Sequence, residues 1–167
     1  DDGIQVEGGN ANVIVRNNII IRCSVGIASA PNLSGPLTIV GNVITDGRLG
    51  QFGNLACFKV GDGGTALATY TNNVCVLTAP GAVGWSQSNA VNNRMVARGN
   101  QINVTDYVIE LSGPPASGTS FDADCLFSAT PGRFAKWSGT VYGSFQSFRS
   151  GTGQESNGES HAGCGVN

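Results

Sequence analysis

Charge is scarce in this chain of 167 residues: Asp, Glu, Lys and Arg together make up 12%, and the formal net charge is −2. Nucleic acid and anionic membrane surfaces call for a basic face, so neither is expected as a partner. Long apolar runs are missing too. None approaches the roughly 20 residues of a membrane-spanning helix, and no membrane insertion is expected. The single histidine, His161, sits in a polar tail, and no two cysteines form a CxxC pair, so no metal site is expected from spacing. The five cysteines, Cys23, Cys57, Cys75, Cys125 and Cys164, leave at least one unpaired, which excludes a simple disulfide framework. Cys23, Cys57 and Cys75 lie in or beside apolar runs, where a thiol behaves as a small hydrophobe. A bridge is expected between Cys125 and Cys164, because the glycine-rich tail from Ser150 to Asn167 has little apolar surface to hold it down.

Sustained helical periodicity is also absent, and what replaces it is a repeated phrase built on asparagine: Arg16-Asn17-Asn18-Ile19, Gly41-Asn42-Val43-Ile44, Asn72-Asn73-Val74 and Gly99-Asn100-Gln101-Ile102. Asn18, Asn42, Asn73 and Asn100 are spaced by 24, 31 and 27 residues. These intervals are too long for hairpins and suit a solenoid in which one coil stacks on the next. Asparagine tolerates a left-handed backbone at a sharp corner, and its amide can bond the amide of the same corner one coil away. Such a ladder needs parallel, in-register strands.

Short apolar runs fit that frame. One series is Ile4 to Glu7, Ile27 to Ala30, Phe58 to Gly61, Val83 to Gln87 and Val108 to Leu111; another is Val13 to Val15, Leu37 to Val40, Leu67 to Tyr70 and Met95 to Ala97. Ile4 and Val6 alternate with Gln5 and Glu7, and Phe58 and Val60 flank Lys59, the period-two pattern of strands with one inward face. An antiparallel sandwich would also give short strands and many turns, but has no reason to repeat asparagine at coil spacing. The expected fold is an all-β, right-handed parallel β-helix of four to five coils, with residues 1–121 as coils and 122–167 as last coil, cap and polar tail. In that last third, Ser144 can cap a short helix whose Phe145 and Phe148 share a face, and an aromatic flap of this kind would close the open end of the solenoid. The other reading of Trp137, Tyr142, Phe145 and Phe148 is a sugar-binding platform.

At this point the chain resembles the right-handed parallel β-helix proteins of the pectin lyase-like superfamily. The resemblance rests on Asp1-Asp2-Gly3-Ile4-Gln5-Val6, on Asn12-Val13-Ile14-Val15-Arg16-Asn17-Asn18, on Gly26-Ile27, and on the tail Tyr142-Gly143-Ser144-Phe145 through Phe148-Arg149 to Thr152-Gly153-Gln154-Glu155. It implies a secreted or cell-surface protein that handles polysaccharide. It also implies a longer parent of which this chain, opening on Asp1 without methionine, is a C-terminal portion. An open N-terminal coil would then offer unpaired strand edges for end-to-end or homo-oligomeric stacking.

Two enzymatic routes follow from the resemblance. Polygalacturonase-like hydrolases carry paired aspartates before an Ile-x-Val strand, which Asp1 and Asp2 match, one carboxyl serving as acid and another to activate water. One coil later those enzymes have Gly-His-Gly-Ile where this chain has Ser24-Val25-Gly26-Ile27. In lyases acting on uronic acids, a base removes the proton beside a carboxylate that a cation neutralises, sometimes with calcium. Lys59 is the only lysine of the coil region and the candidate for that role, with Glu7, Asp62 and Glu110 expected on the same outer wall to contact substrate or a carboxylate-bridging calcium ion. The competing reading is a non-catalytic glycan-binding or structural β-helix, of adhesin, tailspike or surface-fibre type.

Overall fold

The structure is a computed structural model that describes residues 2–29, 35–50, 53–60, 67–87 and 94–166. Three strands alternate around each coil and build three sheets. The first sheet holds β1 (Asp2–Val6), β4 (Val25–Ser29), β7 (Ala56–Val60), β10 (Val83–Gln87) and β13 (Ile109–Leu111), and ends in the hairpin of β16 (Ala135–Trp137) and β17 (Thr140–Tyr142). The second holds β2 (Val13–Arg16), β5 (Leu37–Val40), β8 (Leu67–Thr71), β11 (Arg94–Arg98) and β14 (Ser120–Asp122). The third holds β3 (Ile19–Ile21), β6 (Val43–Thr45), β9 (Val74–Leu77), β12 (Gln101–Val104) and β15 (Cys125–Ser128). Every pairing among these strands is parallel except β16 with β17, giving a parallel β-solenoid of about four turns between β1 and β13.

The asparagine corners lie between the second and third sheets and stack in register. Asn42 Oδ1 accepts from the backbone N–H and the Nδ2 of Asn18 at 3.0 and 2.9 Å, Asn73 does the same for Asn42, and Asn100 for Asn73. Each buried Nδ2 also donates to a backbone carbonyl, Val15 for Asn42, Ile39 for Asn73 and Tyr70 for Asn100. The ladder therefore satisfies buried corner groups that would otherwise each cost about 1–3 kcal/mol. One detail differs from the expectation: the left-handed residue is not the rung but the one before it. Asn17, Gly41, Asn72, Gly99 and Ala123 have φ of 55°, 64°, 53°, 66° and 59°. The sharp turn is thus made by one residue, which leaves the next free to aim its amide along the stack.

The ladder ends in acids. Asp124 Oδ1 accepts from the N–H and Nδ2 of Asn100, and Glu155 Oε2 accepts from the Asp124 N–H. The remaining oxygens, Asp124 Oδ2 and Glu155 Oε1, are buried with no N–H or hydroxyl donor. One proton held between the two carboxyls would supply the donor that these oxygens lack. Burial, then the facing charge of Asp124, pushes Glu155 up to about 9, and burial raises Asp124 as well. Asp122 is the nearest other acid; it is held well below the usual carboxylate range by the N–H and amide of Asn157 and by Ser156 and Arg98. A raised folded-state pKa gives stability that is complete below the ordinary carboxylate range and is lost as pH rises. The denaturant midpoint should therefore fall as pH rises from the ordinary carboxylate range to about 9. Asp124→Asn supplies the missing donor as an amide and should flatten that slope; an equal slope in wild type and variant would show that the pair shares no proton.

Aliphatic side chains fill the first coils and an aromatic column fills the rest. Phe58 contacts Tyr70 and Trp85, Trp85 contacts Phe121, Phe121 contacts Trp137, and Trp137 contacts Phe148, with ring centroids 5.0–5.8 Å apart. Phe148 lies on α1 (Phe145–Thr152), whose N-cap Ser144 and N3 residue Ser147 form a capping box and whose C-cap Gly153 is left-handed. Phe148 is fully buried against Phe134, Trp137 and Tyr142, and Phe145 packs edge-on against Phe134. These contacts make the segment a lid on the core, as expected.

Cysteine pairing is as expected at Cys125–Cys164 and differs elsewhere. Cys57 and Cys75, read from sequence as separate small hydrophobes, form a disulfide across the core, and Cys23 is free. They sit on β7 and β9 of one coil, both completely buried. A coil's return path brings residues 18 apart face to face, which linear proximity to apolar runs does not reveal.

Candidate functional site

The outer face of the first sheet carries a concave surface. The register fixes which side chains stand in line: Gln5 beside Ala28, Ala28 beside Lys59, Lys59 beside Ser86, Ser86 beside Glu110, and Glu110 beside Lys136. Adjacent members are one strand apart, about 4.8 Å. From the connection between β6 and β7, the described residues Gly50, Gly53, Asn54 and Leu55 stand along one side of this row. Two depressions result. The first, of about 380 Å³, is lined by Asp2, Gln5, Ser24, Val25, Asn54 and Lys59. The second, of about 150 Å³, includes Val25, Asn54, Lys59, Ser86, Asp106 and Glu110. Val25, Asn54 and Lys59 belong to both, so the two form one groove with Lys59 at its middle.

The charges in the groove are not equivalent. Asp106 receives both Nε and Nη2 of Arg133, at 2.5 and 2.9 Å, and the same guanidinium lies 4.5 Å over the Tyr107 ring. Glu110 Oε1 is 3.5 Å from Lys136 Nζ. Lys59 has no ion pair among the described residues. Among the described residues the groove therefore offers Lys59 without an ion-pair partner, with the Asp2 carboxylate in the same depression and amide and hydroxyl groups beside it, over a floor that includes buried Val25, Ala56 and Val83. That mixture of apolar floor and polar rim suits a hydroxylated, partly anionic ligand.

Of the residues singled out from sequence, Asp2, Lys59 and Glu110 are brought to this groove. Glu7 is exposed just beyond the end of β1, and the row position in that strand is Gln5. Asp1 and Asp62 lie outside the described residues. Ser24, Asn54, Ser86 and Asp106 escaped sequence reasoning. The signal for that flank was the 31-residue interval from Asn42 to Asn73, the longest between rungs, part of which is the 46–55 connection. Among the described residues no three carboxylates converge as a calcium site would require. The converging donors of metal type are Cys125, His161 and Cys164, two of them joined in the disulfide. Compared with protein-family models, curated proteins and solved structures, the chain matches none of them.

Proposed function

We propose that the chain is the polysaccharide-handling part of a secreted or cell-surface protein, and that it holds an extended, uronic-acid-containing polymer in the groove across the first sheet. The supporting observation is the row Gln5, Ala28, Lys59, Ser86, Glu110 and Lys136, in which Lys59, with no ion pair among the described residues, sits midway along a groove several strands long. Lys59 would pair with a uronate carboxylate, while Gln5, Asn54 and Ser86 would meet ring hydroxyls. Retention without cleavage is the reading that best fits the geometry. Of the acids that line the groove, Asp106 and Glu110 are engaged by Arg133 and Lys136, and the single histidine lies in the tail and does not line it. Lyase action is the second reading, in which Lys59, free of an ion pair among the described residues, would act as base in its neutral amine form.

Affinity electrophoresis in polygalacturonate and in a neutral glucan tests this. Lys59→Ala should weaken retention by the uronate polymer on the order of tenfold, or about 1.4 kcal/mol, with an unchanged melting temperature and little effect in the neutral gel. Unsaturated ends released by wild type and not by the variant would convert the reading to a lyase. Equal retention of both proteins would remove Lys59 from the site.

A further inference from the structure

We propose that the Cys125–Cys164 disulfide is an exchange site for low-molecular-weight thiols, with His161 as the residue that positions and stabilises the Cys125 thiolate. The two disulfides sit in different surroundings. Cys57 and Cys75 are completely buried in the core. Cys164 is buried too, but Cys125, itself 8% exposed, lines an open groove of about 290 Å³ with Gln101, Glu159, His161 and Gly163.

Backbone contacts hold this corner in shape. The Leu126 N–H donates to the Glu159 carbonyl and the Glu159 N–H to that of Asp124, which pairs Cys125 with Glu159 as a parallel bridge. From there the tail brings the His161 Nε2 to 3.5 Å from the Cys125 Sγ and 3.6 Å from the Glu159 Oε1. The Gly163 N–H donates to His161 Nδ1 at 3.2 Å. Nδ1 is then the acceptor, which leaves the proton of the neutral ring on Nε2, aimed between sulfur and carboxylate. That tautomer suits a thiolate, which wants a donor, and opposes metal ligation through Nε2, which needs a lone pair there.

The chemistry balances without any other group. An external thiolate attacks the Cys125 Sγ, the bond to Cys164 breaks, and its electron pair leaves on the Cys164 Sγ, which takes a proton from water. A second external thiolate attacks the outer sulfur of the mixed disulfide. The external thiols depart as their own disulfide, and Cys125 departs as a thiolate that accepts the His161 Nε2–H. A thiolate held this way forms at lower pH and leaves faster. Opening the bridge frees residues 162–166, which lie over the third sheet: Asn103 Nδ2 donates to the Ala162 carbonyl, Gln101 Oε1 accepts the Gly165 N–H, and Gly165 packs on Val74 and Val76.

The test is titration of the folded protein with reduced glutathione, read by mass spectrometry of the resolved peptides, for wild type and His161→Gln. Glutathione should appear on Cys125 while Cys57–Cys75 stays closed. After reduction, alkylation of Cys125 by iodoacetamide at neutral pH should be about tenfold slower in the variant, its pH profile shifted upward by roughly one unit. His161 is exposed, so the variant is expected to fold. Simultaneous opening of both disulfides, or superimposable alkylation profiles, would overturn the proposal.

Discussion

Asn73→Ala is expected to lower the unfolding free energy by roughly 2–6 kcal/mol, from two buried groups left unpaired at about 1–3 kcal/mol each. The groups are identifiable. The Asn42 N–H loses the Asn73 Oδ1 as acceptor, and the Ile39 carbonyl loses the Asn73 Nδ2 as donor. The Asn42 Nδ2 keeps Val15 and Val40, and the Asn100 Oδ1 keeps the residue-73 N–H, so neither adds a full penalty. Asn18→Ala is the internal control: its Nδ2 donates to Arg16 and Asn42 at a partly exposed end of the stack, and its loss should be felt less. Equal denaturant midpoints for Asn73→Ala and wild type would show that water replaces the ladder.

A second large effect is expected at the opposite end of the core. Phe148→Ala removes the ring on which Phe134, Trp137 and Tyr142 converge, and truncation of a buried phenylalanine costs about 3–5 kcal/mol. The site has little means of collapse, because α1 is two turns long and its place is fixed by the capping box at Ser144. The variant should unfold at lower denaturant and bind a hydrophobic dye in its folded form, reporting the exposed end of the aromatic column. Phe145→Ala, at a half-buried ring, should do both to a smaller degree. Unaltered dye binding and an unaltered midpoint in Phe148→Ala would mean that the coils seal themselves without the helix.

What sequence reveals here is what depends on local chemistry. The rungs were visible because every coil solves the same corner problem with the same residue, and β5 and β10 have the bounds of the apolar runs read from sequence, Leu37–Val40 and Val83–Gln87. Ser144 announced its helix because capping is a matter of three neighbouring residues. The terminal rung was harder to see: Asp124 follows Asn100 by 24 residues, a coil interval, yet it carries an acid where the repeat has an amide, and its partner Glu155 comes from a non-repeating tail. The groove was only half legible. Strand alternation sends Lys59 and Glu110 outward, but which outward residues become neighbours depends on registry between strands far apart in sequence, as the row position of Gln5 shows. The Cys57–Cys75 bridge escaped for the same reason, since it depends on the cross-section of a coil.

The direction of the amide stack limits how such a molecule can change in length. Each internal rung receives donors from one neighbour and gives its own donors to the next, so an extra coil bearing Asn at its corner could be spliced between any two rungs without leaving either side unmatched. Splicing after Asp124 is different, because Glu155 already occupies the position beyond it and neither acid carries the side-chain amide hydrogens a further rung would have to receive. The stack thus behaves as a polymer with interchangeable interior units and a distinct chain terminator, and gain or loss of coils is compatible with folding on one side of that terminator alone.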